Sequence, residues 1–229
     1  MSFESDLLLS FLKKVRISEA AGKKVHRGML SGLEVLLINT GIGKVNASHS
    51  LTAMAERFPV NKVINMGVGG AYAGAGLDVG DVAVASKEVF GDDGVITSNG
   101  WKGMKEIGIP VLQKGRKKLF NEFPLTTPPQ AFLKAQNNKL AVIKSGLFVT
   151  VGSASGTPKR ARELENKFGG ICENMEGAAI AHVSAIYGIP MIEVRGISNI
   201  VGIRDKRRWK LKEASEICQK VVLNLLESA

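Results

Sequence analysis

Strand-like and helix-like segments alternate along the first third of the chain, and this alternation constrains the fold more than any other feature. Residues 33–40 are rich in strand-forming residues, residues 44–58 repeat apolar side chains at helical spacing, and residues 62–68 are strand-like again. A strand, a helix and a second strand in this order predict a βαβ unit. The chain is therefore predicted to fold as an α/β protein.

The later segments continue this pattern. Strands are predicted at residues 81–90, 140–149, 171–175 and 191–197, and helices at residues 4–15, 158–168 and 210–227, with a small-residue helix opening at Glu176. Residues 91–138 carry four prolines and are predicted to hold short strands and a helix that cover the site or an interface. The 229 residues, 45% of them hydrophobic, suit one domain. We predict a single α/β domain with a mixed, mostly parallel twisted sheet flanked by helices.

Composition disfavours several classes of protein. Cys172 and Cys218 lie in apolar stretches without the spacing of metal ligands, so both are predicted to be reduced core residues, and no metal site is indicated. No charged and apolar leader opens the sequence, and no apolar run reaches the roughly 18 residues that a membrane span needs. We expect a cytoplasmic protein without a membrane partner.

Two polar residues, Glu176 and Asn199, follow apolar strands. The carboxyl ends of strands in an open α/β sheet form the ligand crevice. A carboxylate there can hold a sugar diol through two charge-assisted hydrogen bonds, and an amide can meet a purine edge with one donor and one acceptor. The pair predicts a nucleoside site, although Glu176 alone would also suit a first helical turn and Asn199 an ordinary turn.

Four motifs, in order along nearly the whole chain, carry a family resemblance. They are residues 40–47 (TGIGKVNA), 65–71 (NMGVGGA), 77–81 (LDVGD) and 174–199, which includes Met-Glu-Gly-Ala-Ala and Ile-Ser-Asn. Together they resemble the purine nucleoside phosphorylase and nucleosidase superfamily. The resemblance implies a nucleoside phosphorylase-like fold, a small-molecule nucleoside substrate and a homo-oligomer. Neither glycine loop completes the dinucleotide-binding fingerprint, so no cofactor is predicted.

Within that superfamily, the second glycine loop favours hydrolysis over phosphorolysis. Phosphorylases carry an arginine where this chain has Asn65 and a serine or threonine where it has Val68, and a dianionic phosphate needs such donors. Asn65 also matches the hydrolytic nucleosidases. Gly69 and Gly70, which follow in the loop, are expected to line the pocket for base and ribose.

Glu4 matches the glutamate with which the nucleosidases position and activate water. Relatives place an apolar strand before this glutamate, whereas three residues precede it here, so the first strand of the fold is expected to be absent or upstream of residue 1. Loss of a central strand would leave its neighbours unpaired, and we expect an unstable or inactive protein in that case. The alternative is that Glu4 is only an acid in the first turn of helix 4–15.

The resemblance also assigns the base and sugar contacts. Adenine-specific nucleosidases carry aspartate at position 199, whereas Asn199 accepts from N7–H and donates to a 6-oxo group, which suits hypoxanthine or guanine. Glu4 and Asn199 are thus the predicted catalytic residues, and Glu176 would hold the ribose hydroxyls. The other predicted binding residues are Met175 against the sugar, Ser198 and Arg195 orienting Asn199, and Val149 and Thr150 on the strand whose backbone meets the base.

A basic stretch, residues 204–212, holds six cations in nine residues and is for the most part a solvated surface. Arg204 and Trp209 within it are placed to receive an anionic aromatic group at the 5′ end of the nucleoside. Residues from Ile-Ser-Asn through Trp209 resemble the futalosine hydrolases, which release hypoxanthine from futalosine in menaquinone biosynthesis. A methylthioadenosine/S-adenosylhomocysteine nucleosidase or another 6-oxopurine nucleosidase is the alternative.

The net charge of +10 raises a different class of hypothesis, a nucleic-acid-binding protein. The sequence contains no recognised reader motif, so no nucleic-acid partner is predicted. A relative that binds a nucleoside without turning it over is a further alternative. Release of free base distinguishes an enzyme from both.

Overall fold

The computed structural model describes residues 2–137 and 141–228. Its strands are β1 (Lys13–Ala20), β2 (Lys23–Leu30), β3 (Leu33–Ile38), β4 (Val63–Ala71), β5 (Val82–Phe90), β6 (Gly94–Thr97), β7 (Gly100–Gly103), β8 (Leu112–Lys114), β9 (Lys117–Leu119), β10 (Glu122–Pro124), β11 (Ile143–Thr150), β12 (Gly170–Asn174) and β13 (Met191–Ile200). Its helices are α1 (Asp6–Phe11), α2 (Lys44–Arg57), α3 (Gln130–Asn137), α4 (Pro158–Phe168), α5 (Gly177–Tyr187) and α6 (Leu211–Glu227).

The predicted α/β fold, with a mixed and mostly parallel sheet flanked by helices, is confirmed. Six strands form the main sheet in the order β10-β5-β11-β12-β4-β13, and β13 also pairs with β5, so that five of the strands close into a ring. The longest ladders, β4 with β13 and β5 with β11, are parallel. The shorter ladders that close the ring and extend it to β10 are antiparallel.

A second, antiparallel sheet contains β1, β2 and β3. Its first hairpin turns at Ala21 and Gly22, whose φ angles are 56° and 67°. Its second turns at Ser31 and Gly32, whose φ angles are 52° and 82°. Two-residue loops with positive φ at both positions have the twist that antiparallel hairpins need. The predicted helix at residues 4–15 is therefore wrong: α1 ends at Phe11, and Lys13 begins β1.

The other predicted elements match the observed ones to within a few residues. The helix predicted at residues 158–168 is α4. Thr157 caps its start, and Gly169, with a φ of 63°, caps its end. The irregular region 91–138 holds short strands and α3. Residues 138 and 140, each at the end of a predicted range, lie outside the described residues. No helix in the described part of the chain is long and apolar enough to cross a membrane.

Helices pack against the main sheet, and the hydrophobic core lies between the helices and the sheet. Helix α6 packs on β13 and β4, and α5 packs on β5 and β11. Val84 on β5 and Val194 on β13 have no exposed surface, as expected for strands that are paired on both edges. Both cysteines are buried free thiols. This packed region holds the carboxyl ends of β4, β12 and β13 in fixed positions.

Two strand edges border one cavity. Strand β3 pairs with β2 along one edge, and β4 pairs with β13 from Val63 to Val68. In the described ranges, no strand pairs with the other edge of either stretch. Residues along both stretches are mostly half-buried, and most of them line the cavity.

Candidate active site

The cavity has a volume of about 1060 Å³ and follows β3 and β4 from their amino ends to their carboxyl ends. At the carboxyl ends it is lined by a polar group of residues, which we call the polar end: Glu4, Glu173, Glu176, Arg195, Ser198 and Asn199. At the amino ends it is lined by an apolar group, which we call the apolar end: Leu33, Val35, Leu37, Ile64, Met66, Val222 and Leu225. Ligand crevices of α/β sheets form at carboxyl ends of strands, so the polar end is the candidate site.

Glu176 is held at the start of α5 with both of its oxygens directed to donors. The side-chain oxygen of Asn174 accepts from the backbone N–H groups of Glu176 and Gly177 at 2.9 and 2.6 Å, which fixes the turn into the helix. Glu176 Oε1 accepts from the N–H of Gly43 at 2.9 Å, and Oε2 lies 3.4 Å from Arg195 Nη1. Each carboxylate oxygen still has a lone pair for a further donor such as a sugar hydroxyl.

Glu4 reaches the same end of the cavity from the amino-terminal 3₁₀ turn. That turn is tied to α6, because Ser215 Oγ and Gln219 Nε2 donate to the carbonyl of Phe3 at 3.1 and 3.0 Å. Glu4 Oε1 accepts from the N–H of Val68 at 3.1 Å. The long helix of the sequence alternative does not form, and Glu4 lies instead in the 3₁₀ turn Ser2–Glu4.

Glu4 and Arg195 lie together over Gly67 on β4. A Cβ at Gly67 would lie 2.8 Å from Glu4 Oε1 and 2.9 Å from Arg195 Nη1, so only glycine lets both side chains approach the strand. Arg195 Nη1 donates to the carbonyl of Val68 at 3.2 Å. Arg195 Nη2 is buried without a hydrogen-bond partner among the described residues.

A buried polar network supports this arginine from behind. Arg195 Nε donates to Glu193 Oε1 at 2.9 Å, and Asn65 Nδ2 donates to the same oxygen at 3.0 Å. Glu88 accepts from Thr150 Oγ1 at 2.7 Å and from Asn174 Nδ2 at 2.6 Å. A Cβ at Gly177 would clash with both Glu88 and Glu193, so the two carboxyl groups meet at the first residue of α5.

Burial governs ionisation in this network. Burial, followed by repulsion from Glu193, raises the pKa of Glu88 well above its usual value. Burial also raises the pKa of Glu193, and the charge of Arg195 opposes that rise. Glu88 is therefore the group that holds a proton, whereas Glu193 pairs with Arg195. Burial alone would lower the pKa of Arg195, but the carboxylates of Glu193 and Glu176 raise it, so the guanidinium stays charged.

Asn199 occupies the far side of the polar end, beside Ser198. Ser198 Oγ lies 2.9 Å from Asn199 Oδ1 and 3.2 Å from the carbonyl of Gly69, and Asn199 Nδ2 donates to the carbonyl of Ile200 at 3.3 Å. A Cβ at Gly70 would lie 3.1 Å from Asn199 Nδ2. These contacts leave the amide with one acceptor site and one N–H for a ligand.

Arg204 and Trp209 form a third part of the lining. The guanidinium carbon of Arg204 lies 5.0 Å from the centre of the Trp209 ring, and Trp209 Nε1 donates to the carbonyl of Ile203 at 3.3 Å. The neighbouring Arg207 is paired with Asp205 at 2.9 Å and does not line the cavity. The basic stretch is thus divided into a cavity-facing pair and a solvated remainder.

Most of the residues predicted for the site come together in this cavity. Those that line it are Glu4, Gly69, Gly70, Met175, Glu176, Arg195, Ser198, Asn199, Arg204 and Trp209. Val149 and Thr150 do not: both are fully buried, and the Thr150 hydroxyl accepts from the N–H of Ala178 on α5. Ala154 and Ser155, in the loop after β11, line the cavity instead. The prediction that Arg195 orients Asn199 is also wrong, since Arg195 bonds to Val68, Glu176 and Glu193.

Sequence reasoning missed three acids in otherwise apolar strands: Glu88, Glu173 and Glu193. Glu173 lines the cavity, and it accepts from the N–H and the hydroxyl of Ser155 at 2.8 and 2.6 Å and from the hydroxyl of Tyr72 at 3.1 Å. An acid within a strand predicted to be buried was the available signal, because such a group is costly unless it is hydrogen-bonded. The described residues contain no cluster of three or more metal-ligating side chains.

Comparison with known proteins agrees with this fold. Residues 1–227 match the family model of the phosphorylase superfamily. The chain is 36% identical over 197 residues to the futalosine hydrolase of Thermus thermophilus, covering 86% of this chain and 83% of the relative. It is 34% identical over 203 residues to the 5′-methylthioadenosine/S-adenosylhomocysteine nucleosidase of Bacillus cytotoxicus. This match covers 88% of this chain and 84% of the relative.

Solved structures of nucleosidases have the same fold. The 5′-methylthioadenosine/S-adenosylhomocysteine nucleosidase of Neisseria meningitidis, in complex with methylthio-immucillin-A, superposes with a TM-score of 0.83 at 24% identity and covers 100% of this chain and 96% of its own. The Streptococcus pneumoniae enzyme in complex with 8-aminoadenine superposes with a TM-score of 0.82 at 26% identity, with the same coverage. The chain belongs to the phosphorylase superfamily. Within it the protein is a nucleosidase, an N-glycosidic hydrolase that acts on a small nucleoside.

Proposed function

We propose that this nucleosidase hydrolyses the N-glycosidic bond of futalosine, giving hypoxanthine and dehypoxanthinyl futalosine in menaquinone biosynthesis. The observation that carries the proposal is Asn199, whose amide keeps one acceptor and one donor free at the polar end. The acceptor suits N7–H and the donor suits O6 of a departing 6-oxopurine. With the amide held in this orientation by the carbonyl of Ile200, adenine would present its amine to the amide donor and leave buried groups unpaired, which costs about 1–3 kcal/mol.

The sugar lies, in this proposal, between Glu176 and Glu4. Glu176 accepts from the ribose hydroxyls, and Met175 packs against the sugar face. Glu4 directs a water onto C1′ as oxocarbenium character develops. Asn199 cannot donate a proton to the base, so N7 takes its proton from solvent as the glycosidic bond breaks. The amide oxygen then accepts from the N7–H group, and the amide N–H donates to O6 of the departing purine.

The charge of the polar end favours water over phosphate as nucleophile. Glu4, Glu173 and Glu176 line it, and its one arginine, Arg195, is already paired with Glu193 and Glu176. Lys44, at the start of α2, is paired with Asp92 and Asp93 at 2.5 and 2.8 Å. A dianionic phosphate at the polar end would meet three carboxylates and, among the described residues that form this end, no uncompensated cation.

Arg204 and Trp209 support futalosine over smaller 6-oxopurine nucleosides. Their guanidinium and indole groups are stacked at the cavity wall, and this arrangement suits an aromatic carboxylate at the 5′ side of the substrate. A methylthioadenosine/S-adenosylhomocysteine nucleosidase is the second candidate, favoured by relatives of similar identity. Its adenine base fits Asn199 less well.

Release of free base tests the proposal directly. Futalosine, inosine and methylthioadenosine are incubated with the protein in phosphate-free buffer and again with phosphate, and the base is identified by chromatography. Hypoxanthine from futalosine at a rate independent of phosphate is expected. Adenine as the main product would establish the second candidate, and base release only with phosphate would establish a phosphorylase. No base from any substrate would indicate a binding protein without turnover.

The 5′ contact is tested by Arg204→Ala, with Arg207→Ala as the matched control. Futalosine and inosine share base and ribose and differ at the 5′ side. Arg204→Ala should therefore raise KM for futalosine by about tenfold, the value of one charge-assisted contact, and leave inosine unchanged. Arg207→Ala should change neither. An equal loss on both substrates would remove Arg204 from 5′ recognition.

A further inference from the structure

Gln219 is a buried amide on α6 for which the proposed mechanism has no use. It is 2% exposed, and its buried neighbours on the helix include Cys218 and Val222. Burying an amide is costly unless its donors and its acceptor are hydrogen-bonded, and an apolar side chain would pack at such a position without that cost. The partners of Gln219 therefore indicate why a polar residue is found there.

Both ends of the Gln219 amide bind the amino-terminal segment, which precedes it by 211 to 216 residues. Gln219 Oε1 accepts from the backbone N–H groups of Leu7 and Leu8 at 2.9 and 3.2 Å. Gln219 Nε2 donates to the carbonyl of Phe3 at 3.0 Å, and Ser215 Oγ donates to the same carbonyl at 3.1 Å. One side chain therefore holds the amino-terminal segment at two points.

The bonds to Oε1 cap α1 from another helix. The first N–H groups of a helix have no partner within it, and the side chain of the N-cap residue commonly accepts from them. The N-cap residue Ser5 makes no such bond, and its hydroxyl accepts instead from Asn39 Nδ2 at 3.0 Å. Gln219 supplies the acceptor in its place, so the start of α1 depends on α6.

Glu4 lies between the two points that Gln219 holds. Its Oε1 accepts from the N–H of Val68 at 3.1 Å, and its carboxylate lies over Gly67. Leu8 also packs in the same hydrophobic cluster as the buried face of α6. Apolar contacts are non-directional, however, whereas hydrogen bonds fix a distance and an angle. The amide is therefore the group that sets the position of the turn.

We propose that Gln219 is a positioning residue, which holds the amino-terminal turn so that the carboxylate of Glu4 stays at the polar end of the cavity. The inference rests on the role proposed for Glu4, the group that directs water onto C1′. Displacement of a catalytic group by about 1 Å can lower the rate by about 100-fold. Loss of the amide should therefore lower kcat, whereas KM, which depends on substrate contacts made by other residues, should change little.

The test replaces the amide by an apolar side chain of similar length, in Gln219→Met. This variant should lower kcat for the nucleoside that the wild type hydrolyses by about 10- to 100-fold, with KM changed less than about twofold. Asn224→Ala is the matched control, because Asn224 is an amide on the same helix that donates to Gln136 Oε1 at 2.7 Å and does not line the cavity. It should change neither constant. An unchanged kcat in Gln219→Met would overturn the proposal.

Ser215→Ala is a milder variant that keeps the amide and most of the packing of α6. It removes one of the two donors to the carbonyl of Phe3. It should lower kcat by about two- to fivefold, the effect of one neutral hydrogen bond, and leave the melting temperature close to that of the wild type. A loss of kcat that instead follows the melting temperature across the variants would contradict positioning.

A double-mutant cycle with Glu4→Gln separates positioning from a general structural effect. If Gln219 acts through Glu4, Gln219→Met should lower kcat by less than about twofold further when Glu4 is already replaced. The same loss of about 10- to 100-fold in both backgrounds would assign Gln219 a purely structural role and overturn the proposal.

Hydrogen exchange separates this inference from the proposed function, because it requires no turnover. The N–H groups of Leu7 and Leu8 should exchange about tenfold faster or more in Gln219→Met, whereas that of Val194 in β13 should be unchanged. Unchanged exchange at Leu7 and Leu8 would show that packing alone holds the turn and would overturn the proposal. Faster exchange in a protein that hydrolyses no nucleoside would support the hold on the turn and overturn only the proposed function. Faster exchange with an unchanged kcat would remove Glu4 from catalysis, and the positioning role with it.

Discussion

The two ends of the cavity are built in different ways. At the polar end, the side chains of Glu4, Glu173, Glu176 and Arg195 are fixed by hydrogen bonds to residues distant in the chain. At the apolar end, the cavity is bordered by the edges of β3 and β4, which have no further strand partner in the described ranges. We therefore propose that recognition belongs to the polar end, whereas the apolar end bears on stability, since unpaired edges invite strand addition.

The largest expected difference between the two ends is in catalysis. Glu4→Gln at the polar end should lower kcat by about 10²- to 10⁴-fold, because a positioned base contributes that much to proton transfer. Glu34→Gln is the matched control, since Glu34 lines the same cavity beside the apolar end and is paired with exposed Arg27. It should leave kcat unchanged. Full activity of Glu4→Gln in the base-release assay would assign Glu4 a structural role.

Base preference should also depend on the polar end. Asn199→Asp places an acceptor where the amide N–H stood, and an aspartic acid can protonate N7 and accept from an exocyclic amine. The ratio of kcat/KM for adenine over hypoxanthine nucleosides should rise roughly 10- to 100-fold. Competition between inosine and adenosine in one reaction measures this ratio. An unchanged ratio would remove Asn199 from base selection.

The free energy of unfolding should respond differently to substitutions in the packed sheet and at the apolar end. Val194→Ala, in a fully buried strand, should lower the free energy of unfolding by about 2 kcal/mol, because two methyl groups are lost from a packed site. Val35→Ala, on the half-buried edge of β3, should cost less than about 1 kcal/mol. Urea denaturation measures both. Equal costs would mean that the apolar end is covered in solution.

The smallest effect should be on the pH dependence of stability. The pKa of Glu88 is raised in the folded protein by burial, so the folded state keeps its proton at pH values where the unfolded chain has lost it. This contribution is complete below the unfolded value of about 4.5 and is lost as pH rises toward the folded value. Glu88→Gln cannot titrate at this position. As pH rises, the melting temperature of the wild type should therefore fall relative to that of Glu88→Gln. Parallel pH curves would show that Glu88 is ionised in the folded protein.

The periodic spacing of apolar residues and the residues typical of helix ends made much of the fold predictable. The helix at residues 158–168 was predicted to the residue, because Pro158 and the following apolar spacing are local signals. The first helix was not, because Leu7, Leu8 and Leu9 resemble a helix that continues, whereas the hairpin turn at Ala21-Gly22 draws the preceding residues into β1. Pairing with β2 overrode the local preference.

Sequence by itself determined the α/β order of elements and the placement of Glu176 and Asn199 at strand ends, since both depend on residues close together in the chain. Only the tertiary structure decided that Glu173, Gly70 and Asn199 lie side by side, that Glu88 and Glu193 meet behind Arg195, and that the edges of β3 and β4 border one cavity. These are relations between strands distant in sequence. Their register and burial follow from packing across the sheet, which no local pattern specifies.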